Sequence, residues 1–269
     1  MKKRFLVAGI GPPALLAVYL LLPKWVGALV FAIACGMITR ELLKPTGYAP
    51  GKRVLWISAI FSAGVSLRSF TGGSETEAAV GITLYVLYLL VELLFAGTAW
   101  QFGDMCAVLF GGLLLPWLLS ATVRIYAGET GRALVLLPFA LTMAPDGGAL
   151  GAGILFGKHP LAPEISPKKT VEGAIGSVLA GILTAYVYGL VLHLLGYRVS
   201  WGAAALYGFL GGLFSVLGDL VFSTIKRQRG IKDFSRVLSE HGGMLDRFDS
   251  LVLFAPVAEL LMRYVPFCE

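Results

Sequence analysis

Apolar residues run along this chain in long blocks, broken by short polar intervals. A helix that crosses the hydrocarbon core of a bilayer needs about 20 mostly apolar residues. That ruler predicts nine spans, at about 5–22, 25–43, 54–70, 78–98, 105–124, 132–155, 171–196, 201–225 and 250–265. The first follows Lys2, Lys3 and Arg4 as a signal peptide would, but it lacks a small-residue cleavage site, and an equally apolar block follows at once. It is therefore read as a span. The sixth contains Pro138 and Pro145 and is expected to kink or break.

Composition turns this pattern into a class. Of the 269 residues 57% are hydrophobic and 14% charged, whereas a soluble domain is about 25% charged. Such a chain cannot supply the polar exterior of a soluble enzyme. Glycine is abundant, at 34 residues, and small residues let membrane helices approach closely. Cys35, Cys106 and Cys268 are scattered and odd in number, which argues against a disulfide framework or a cysteine metal cluster. The expected fold is all-α, a polytopic integral membrane protein. Residues 1–130 would form an N-terminal helical scaffold and 131–269 the half that carries a site.

Charge sets the orientation. With the N-terminus in the cytoplasm, Lys24, Arg68, Arg124, Arg132, Arg198 and Arg263 fall outside, and 16 of the 22 Lys and Arg fall inside. Two of the inside loops, about 156–170 and 226–249, hold most of the polar chemistry.

Several acids lie within or beside apolar blocks: Glu92, Asp146, Glu172, Asp219 and Glu259. A carboxylate in lipid costs about 2.5–3.5 kcal/mol on insertion scales, so each needs a partner or a wet cavity. Asp219 is the strongest case. Ser223, Lys226 and Arg227 follow on the same helical face and make a polar stripe down the eighth span. An internal ion pair is the bland alternative. Glu92 and Glu259 have no motif around them and read as structural pairs. Glu172 reads as a first-turn acid after Ser166 as helix cap and Pro167 as first helical residue. Asp146 lies in a Gly-rich stretch and reads as one polar group within close helix packing.

Asp246 and Asp249 stand three residues apart, on one side of a helix start. Helix capping explains them locally. With Asp219 they make three carboxylates, a ligand set suited to Mg²⁺, which also keeps waters and binds phosphates. Gly242-Gly243 after His241 offers backbone N–H groups to an anion. Lys226, Arg227, Arg229, Lys232 and Arg236 surround it, and Lys168 and Lys169 add cations at a second loop. Together these describe a site for an anionic, phosphate-bearing substrate at the membrane surface.

The run Ser223-x-Ile225-Lys226-Arg227-x₄-Lys232-Asp233-x-Ser235-x₂-Leu238-x₂-His241-Gly242-Gly243-x-Leu245-Asp246-Arg247-Phe248-Asp249 resembles the signature of the phosphatidate cytidylyltransferases. Leu161-Ala162-Pro163-x-Ile165-Ser166-Pro167-Lys168-Lys169-Thr170-x-Glu172-Gly173 is similar to a second segment of that family. The resemblance implies an enzyme of phospholipid biosynthesis that converts CTP and phosphatidic acid to CDP-diacylglycerol and pyrophosphate. It also implies an integral inner (plasma) membrane protein, homodimeric, with its site facing the cytoplasm and no nucleic-acid partner. Mg²⁺ would be the cofactor, with a second cation left open. Asp219, Asp246 and Asp249 would hold metal, with Asp219, Asp246 and Lys226 as the catalytic set. Lys168, Lys169, Lys226, Arg227 and Lys232 would neutralise phosphates. Ser166 and Ser223 would contact substrate; His241, Gly242 and Gly243 would shape the nucleotide pocket; Asp233 and Arg247 would orient neighbours.

Two other classes compete. Buried acids and Gly/Pro-broken helices also mark ion-coupled secondary transporters, which would show an inverted repeat and no CTP turnover; no such repeat is visible. A CDP-alcohol phosphotransferase would carry a DG-x₂-AR-type run, which is missing here.

Overall fold

The computed structural model describes residues 17–235 and 242–268. It is nearly all helical, with one small hairpin. Among the described residues seven helices are long and apolar enough to cross a membrane, and they match the second to eighth expected spans. The first span falls largely outside the described residues. The ninth is a 20-residue helix, Leu245–Tyr264, that also carries Asp246, Arg247, Asp249, Glu259 and Arg263. Large apolar side chains face outward on these helices. In Glu75–Ala96 only Tyr85 and Leu89 are buried, while Leu84, Leu87, Leu94 and Phe95 are exposed. That inverts a soluble helix and fits a lipid-facing one.

The chain forms two compact units. One comprises the residues up to Ala127 together with Asp233–Arg247; the other comprises Gly128–Lys232 and Phe248 onward.

After a short helical stretch at 17–21, the first unit continues with α1 (Lys24–Thr46) and α2 (Lys52–Thr71), which pack along each other, followed by α3 (Glu75–Ala96). Gly47 ends α1 and Gly72 ends α2, both in the left-handed conformation that favours glycine at a helix terminus. Ser74 starts α3 by accepting from Glu77 N, with Glu75 and Glu77 at the positive end of the helix dipole. The next span, Phe102–Ala127, is not a continuous α-helix. It runs as α4 (Phe102–Leu109), a π-helical stretch at Phe110–Leu114, α5 (Leu115–Leu119) and α6 (Ala121–Ala127). Pro116 has no amide hydrogen to give the ladder, which widens just ahead of it. The Gly111 carbonyl in that stretch accepts from Thr39 Oγ1 at 2.8 Å. A neighbouring hydroxyl thus serves a backbone group that lipid could not.

The second unit holds α7 (Gly131–Leu134), α8 (Leu137–Phe156), the hairpin β1 (Pro160–Ala162) and β2 (Ser166–Thr170), α9 (Val171–Leu194), α10 (Trp201–Gln228) and most of α11 (Leu245–Tyr264). The expected break in the sixth span lies between Leu134 and Leu137, ahead of Pro138; Pro145 sits inside α8. Helix α9 packs on both α8 and α10, and small residues set the spacing. A Cβ placed at Gly176 would lie 2.9 Å from the Gly148 carbonyl oxygen, and one at Gly212 2.6 Å from that of Ser177. Dispersion between closely apposed backbones holds such crossings together in lipid.

The hairpin corrects one expectation. Ser166 and Pro167 do not start a helix; they belong to β2, which pairs antiparallel with β1. The cap is Thr170, whose hydroxyl accepts from Gly173 N at 3.1 Å. Local Ser-Pro chemistry favours a helix start, but pairing with Pro160–Ala162 keeps that stretch extended.

Candidate active site

Helix α10 carries the polar stripe as its period requires. Ser223 Oγ donates to Asp219 Oδ1 at 3.1 Å, one turn apart. Lys226, a further turn on, is only 7% exposed. Gly218 brings this stripe against α11. A Cβ there would lie 2.5 Å from Ser250 Cα and 2.8 Å from the Asp249 carbonyl oxygen, so no larger residue fits without moving a backbone.

Asp249 is buried in α11, where its Oδ1 accepts from Ser250 N at 2.6 Å. The carboxylates of Asp219 and Asp146 repel its charge and the Lys226 ammonium attracts it. Ser250 Oγ donates to the Ser215 carbonyl at 2.9 Å. Ser215 Oγ lies 2.5 Å from Asp146 Oδ1 and 3.2 Å from the Thr142 carbonyl. Asp146 is thus part of this cluster. The sequence reading put it in helix packing, because its partner stands 69 residues away on another helix.

The hairpin supplies a cation. Lys169 Nζ lies 2.5 Å from Asp219 Oδ2. The hairpin base is held by Glu172, which accepts from Lys158 N, His159 N and the His159 ring, the last at 2.6 Å. Glu172 is therefore more than a dipole partner: it closes the hairpin that presents Lys169. Lys168, next along the strand, is exposed. Arg227 also serves the hairpin turn, donating through Nε to the Ile165 carbonyl at 3.3 Å and through Nη1 to the Ile231 carbonyl at 3.2 Å.

In the first unit, Asp246 Oδ2 accepts from Phe234 N and Gly243 N, each at 3.0 Å. Gly242 has φ 78°, the left-handed region. Glu41 of α1, a residue the sequence reading passed over, accepts from Ser235 Oγ at 2.7 Å and from Leu245 N at 2.8 Å. The one available signal was an acid inside the second apolar block.

Lys232, Asp233 and Arg247 are exposed, and Ser166 is half-buried in β2. His241 lies outside the described residues, as does Arg236. Glu92 and Glu259 are paired as expected, with Arg53 at 2.8 Å and with Arg263 at 2.9 Å.

The donors in the second unit are carboxylate and hydroxyl oxygens, the set a hard cation such as Mg²⁺ prefers. Among the described residues no group of three or more His, Cys, Asp or Glu could by itself hold a metal ion. Mg²⁺ commonly takes one or two carboxylates and completes its shell with water and substrate phosphate. The mutually repelling pair Asp219 and Asp249 fits that mode.

Comparison with known proteins covers nearly the whole chain. The Cytidylyltransferase family model matches residues 2–265. The phosphatidate cytidylyltransferase of Aquifex aeolicus is 35% identical over 266 residues, 97% of this chain and 91% of that protein. Those of Mycobacterium bovis and Mycobacterium tuberculosis are each 31% identical over 270 residues. Both alignments cover 94% of this chain, with 85% and 79% of the relatives. An alignment of this length takes in both units and both polar loops, and the chain belongs to the cytidylyltransferase family.

Proposed function

We propose that this chain transfers the cytidylyl group of CTP to phosphatidic acid, giving CDP-diacylglycerol and pyrophosphate. The observation that carries the reading is the full-length likeness to phosphatidate cytidylyltransferases. An acid-and-lysine cluster within an otherwise apolar helix bundle supports it.

A phosphate oxygen of the lipid attacks the α-phosphorus of CTP. The new P–O bond forms as the bond from the α-phosphorus to the bridging oxygen breaks, and pyrophosphate leaves with that oxygen. Such transfer depends on alignment and charge neutralisation more than on covalent help. Lys169 and Lys226 lie in the cluster and would neutralise phosphate charge there. Lys168, Arg227 and Lys232 would do so at its exposed margin, with Ser166 and Ser223 as hydroxyl contacts. The Gly242-Gly243 turn would shape the nucleotide pocket, its Gly243 amide being held by Asp246, with Asp233, His241 and Arg247 beside it in the sequence. Asp219 and Asp249 would hold Mg²⁺ with water and triphosphate oxygens completing its shell, and Asp246 would serve a second cation; the metal would supply further neutralisation of the triphosphate.

We place the N-terminus and the polar loops on the cytoplasmic side of the inner membrane, on the Lys/Arg count. There CTP arrives from water and the lipid enters laterally. A homodimer is our reading of the assembly.

The test is direct. Purified protein with CTP, Mg²⁺ and phosphatidic acid is expected to release pyrophosphate and form CDP-diacylglycerol, and Asp246→Asn is expected to lose this activity. Solute uptake into liposomes without CTP turnover would replace this reading with the transporter.

A further inference from the structure

Glu41 is only 6% exposed and sits in α1, far from either polar loop in sequence. A carboxylate in a membrane helix persists only with partners, and Glu41 takes two from one distant segment. Oε1 takes the Ser235 hydroxyl and Oε2 takes the Leu245 amide. Those residues flank the Gly242-Gly243 turn on either side.

The Leu245 contact has a specific meaning. Leu245 is the first residue of α11, and first-turn amides have no carbonyl partner inside their own helix. Glu41 caps this helix start as a side chain from another helix, and the next residue is Asp246. The same carboxylate defines the turn. A Cβ at Gly243 would lie 2.7 Å from Glu41 Oε2 and 2.9 Å from Ser235 Oγ. Asp246 Oδ2 completes the arrangement through the Phe234 and Gly243 amides. Two carboxylates, one from α1 and one from α11, therefore share the backbone donors around a single glycine.

We infer that Glu41 is a positioning residue of the cytidylyl transfer: it fixes the start of α11, and with it Asp246 and the Gly242-Gly243 turn. This rests on the reading of Asp246 and that turn as substrate-side groups. The N-terminal helices are thereby part of the catalytic apparatus as well as scaffold.

The test uses the full-length protein in lipid nanodiscs. Glu41→Gln keeps the shape, loses the charge and turns an amide NH₂ toward one of the two donors. It is expected to lower kcat and raise the Mg²⁺ concentration for half-maximal rate, by about 10- to 100-fold in all, as for partners that orient metal ligands. Hydrogen exchange at the Leu245 amide is expected to quicken. Ser235→Ala removes one of the two bonds and leaves Glu41 in place, so smaller shifts in the same direction are expected. Wild-type kcat and Mg²⁺ response in Glu41→Gln would overturn the inference. So would variants that yield less folded protein whose remaining fraction has normal specific activity and Mg²⁺ response, because that describes stability alone. Asp246→Asn run alongside separates the layers. If it is inactive while Glu41→Gln is normal, only the Glu41 inference falls; if it is fully active, the assignment of Asp246 falls and the inference with it.

Discussion

Lys169 Nζ and Asp219 Oδ2 form an ion pair, 2.5 Å apart, that joins the β2 strand to the middle of α10. Both ends are partly exposed, with side-chain exposures of 22% and 36%. Such a pair adds at most about 1 kcal/mol to stability after screening. Its value is in placing an ammonium group beside a carboxylate where phosphates are proposed to bind. Lys169→Ala is expected to leave the thermal midpoint almost unchanged and to lower kcat/KM by about 100-fold, the scale seen when one charge-stabilising donor is removed. Steady-state kinetics with CTP and phosphatidic acid, beside a melting curve in detergent, check this. Parallel loss of activity and stability would contradict it.

Gly218 sets how closely α10 approaches α11. A methyl group there meets Ser250 Cα and the Asp249 carbonyl oxygen, both backbone atoms that cannot rotate away. Gly218→Ala is expected to cost about 1–3 kcal/mol, the range for overpacked cores. It is also expected to weaken activity, because Asp219 and Asp249 flank the contact. Gly202→Ala, in the first turn of the same helix, meets nothing within 4 Å and is the control expected to retain both stability and rate.

The spans were legible because hydropathy acts over about 20 residues and needs no tertiary information. The Asp219-Ser223-Lys226 face was legible for a similar reason: helical period alone puts those residues together. Lys169 was recognised as a cation, but its partner was not. That pairing depends on a hairpin with a three-residue strand, too short to show alternation. Ser166-Pro167 misled because a local cap signature competes with strand pairing that a window of five residues does not contain. Glu41 and Ser235 are 194 residues apart, and no spacing rule reaches across that interval.

Asp146 and Ser215 illustrate the same difficulty within the second unit, and they yield a prediction. Ser215 is fully buried and bridges toward Asp146 through its hydroxyl and toward Ser250 through its carbonyl. Ser250 in turn donates its amide to Asp249. Ser215→Ala removes the hydroxyl contacts to Asp146 and the Thr142 carbonyl and keeps the backbone contact to Ser250. It is expected to cost about 1.5–3 kcal/mol of stability, the scale of a hydrogen bond to a charged group. Asp146→Asn keeps the shape and removes one of the charges that repel Asp249. Its expected signature is an altered Mg²⁺ response with an unchanged KM for phosphatidic acid, read from Mg²⁺ titrations at saturating lipid. An unchanged Mg²⁺ response would return Asp146 to a packing role.

Metal dependence follows from the sign of the charges. Asp219 and Asp146 repel Asp249 and Lys226 attracts it; with Lys169 paired to Asp219, the cluster holds two ammonium groups against three carboxylates. A divalent cation relieves the remainder and at the same time binds the triphosphate. Chelation is therefore expected to abolish CTP turnover, and added Mg²⁺ to restore it. Ca²⁺ is expected to restore little, since its longer bonds and higher coordination number suit a different donor arrangement. Asp249→Asn removes one donor and one repulsive charge together. The rate at saturating Mg²⁺ is expected to fall, and the half-maximal Mg²⁺ concentration to rise by about 10-fold or more. The measurement is pyrophosphate release against free Mg²⁺ for wild type and variant. Wild-type turnover in excess chelator would remove the metal from the proposed reaction, and an unchanged Mg²⁺ midpoint in Asp249→Asn would remove Asp249 from its ligands.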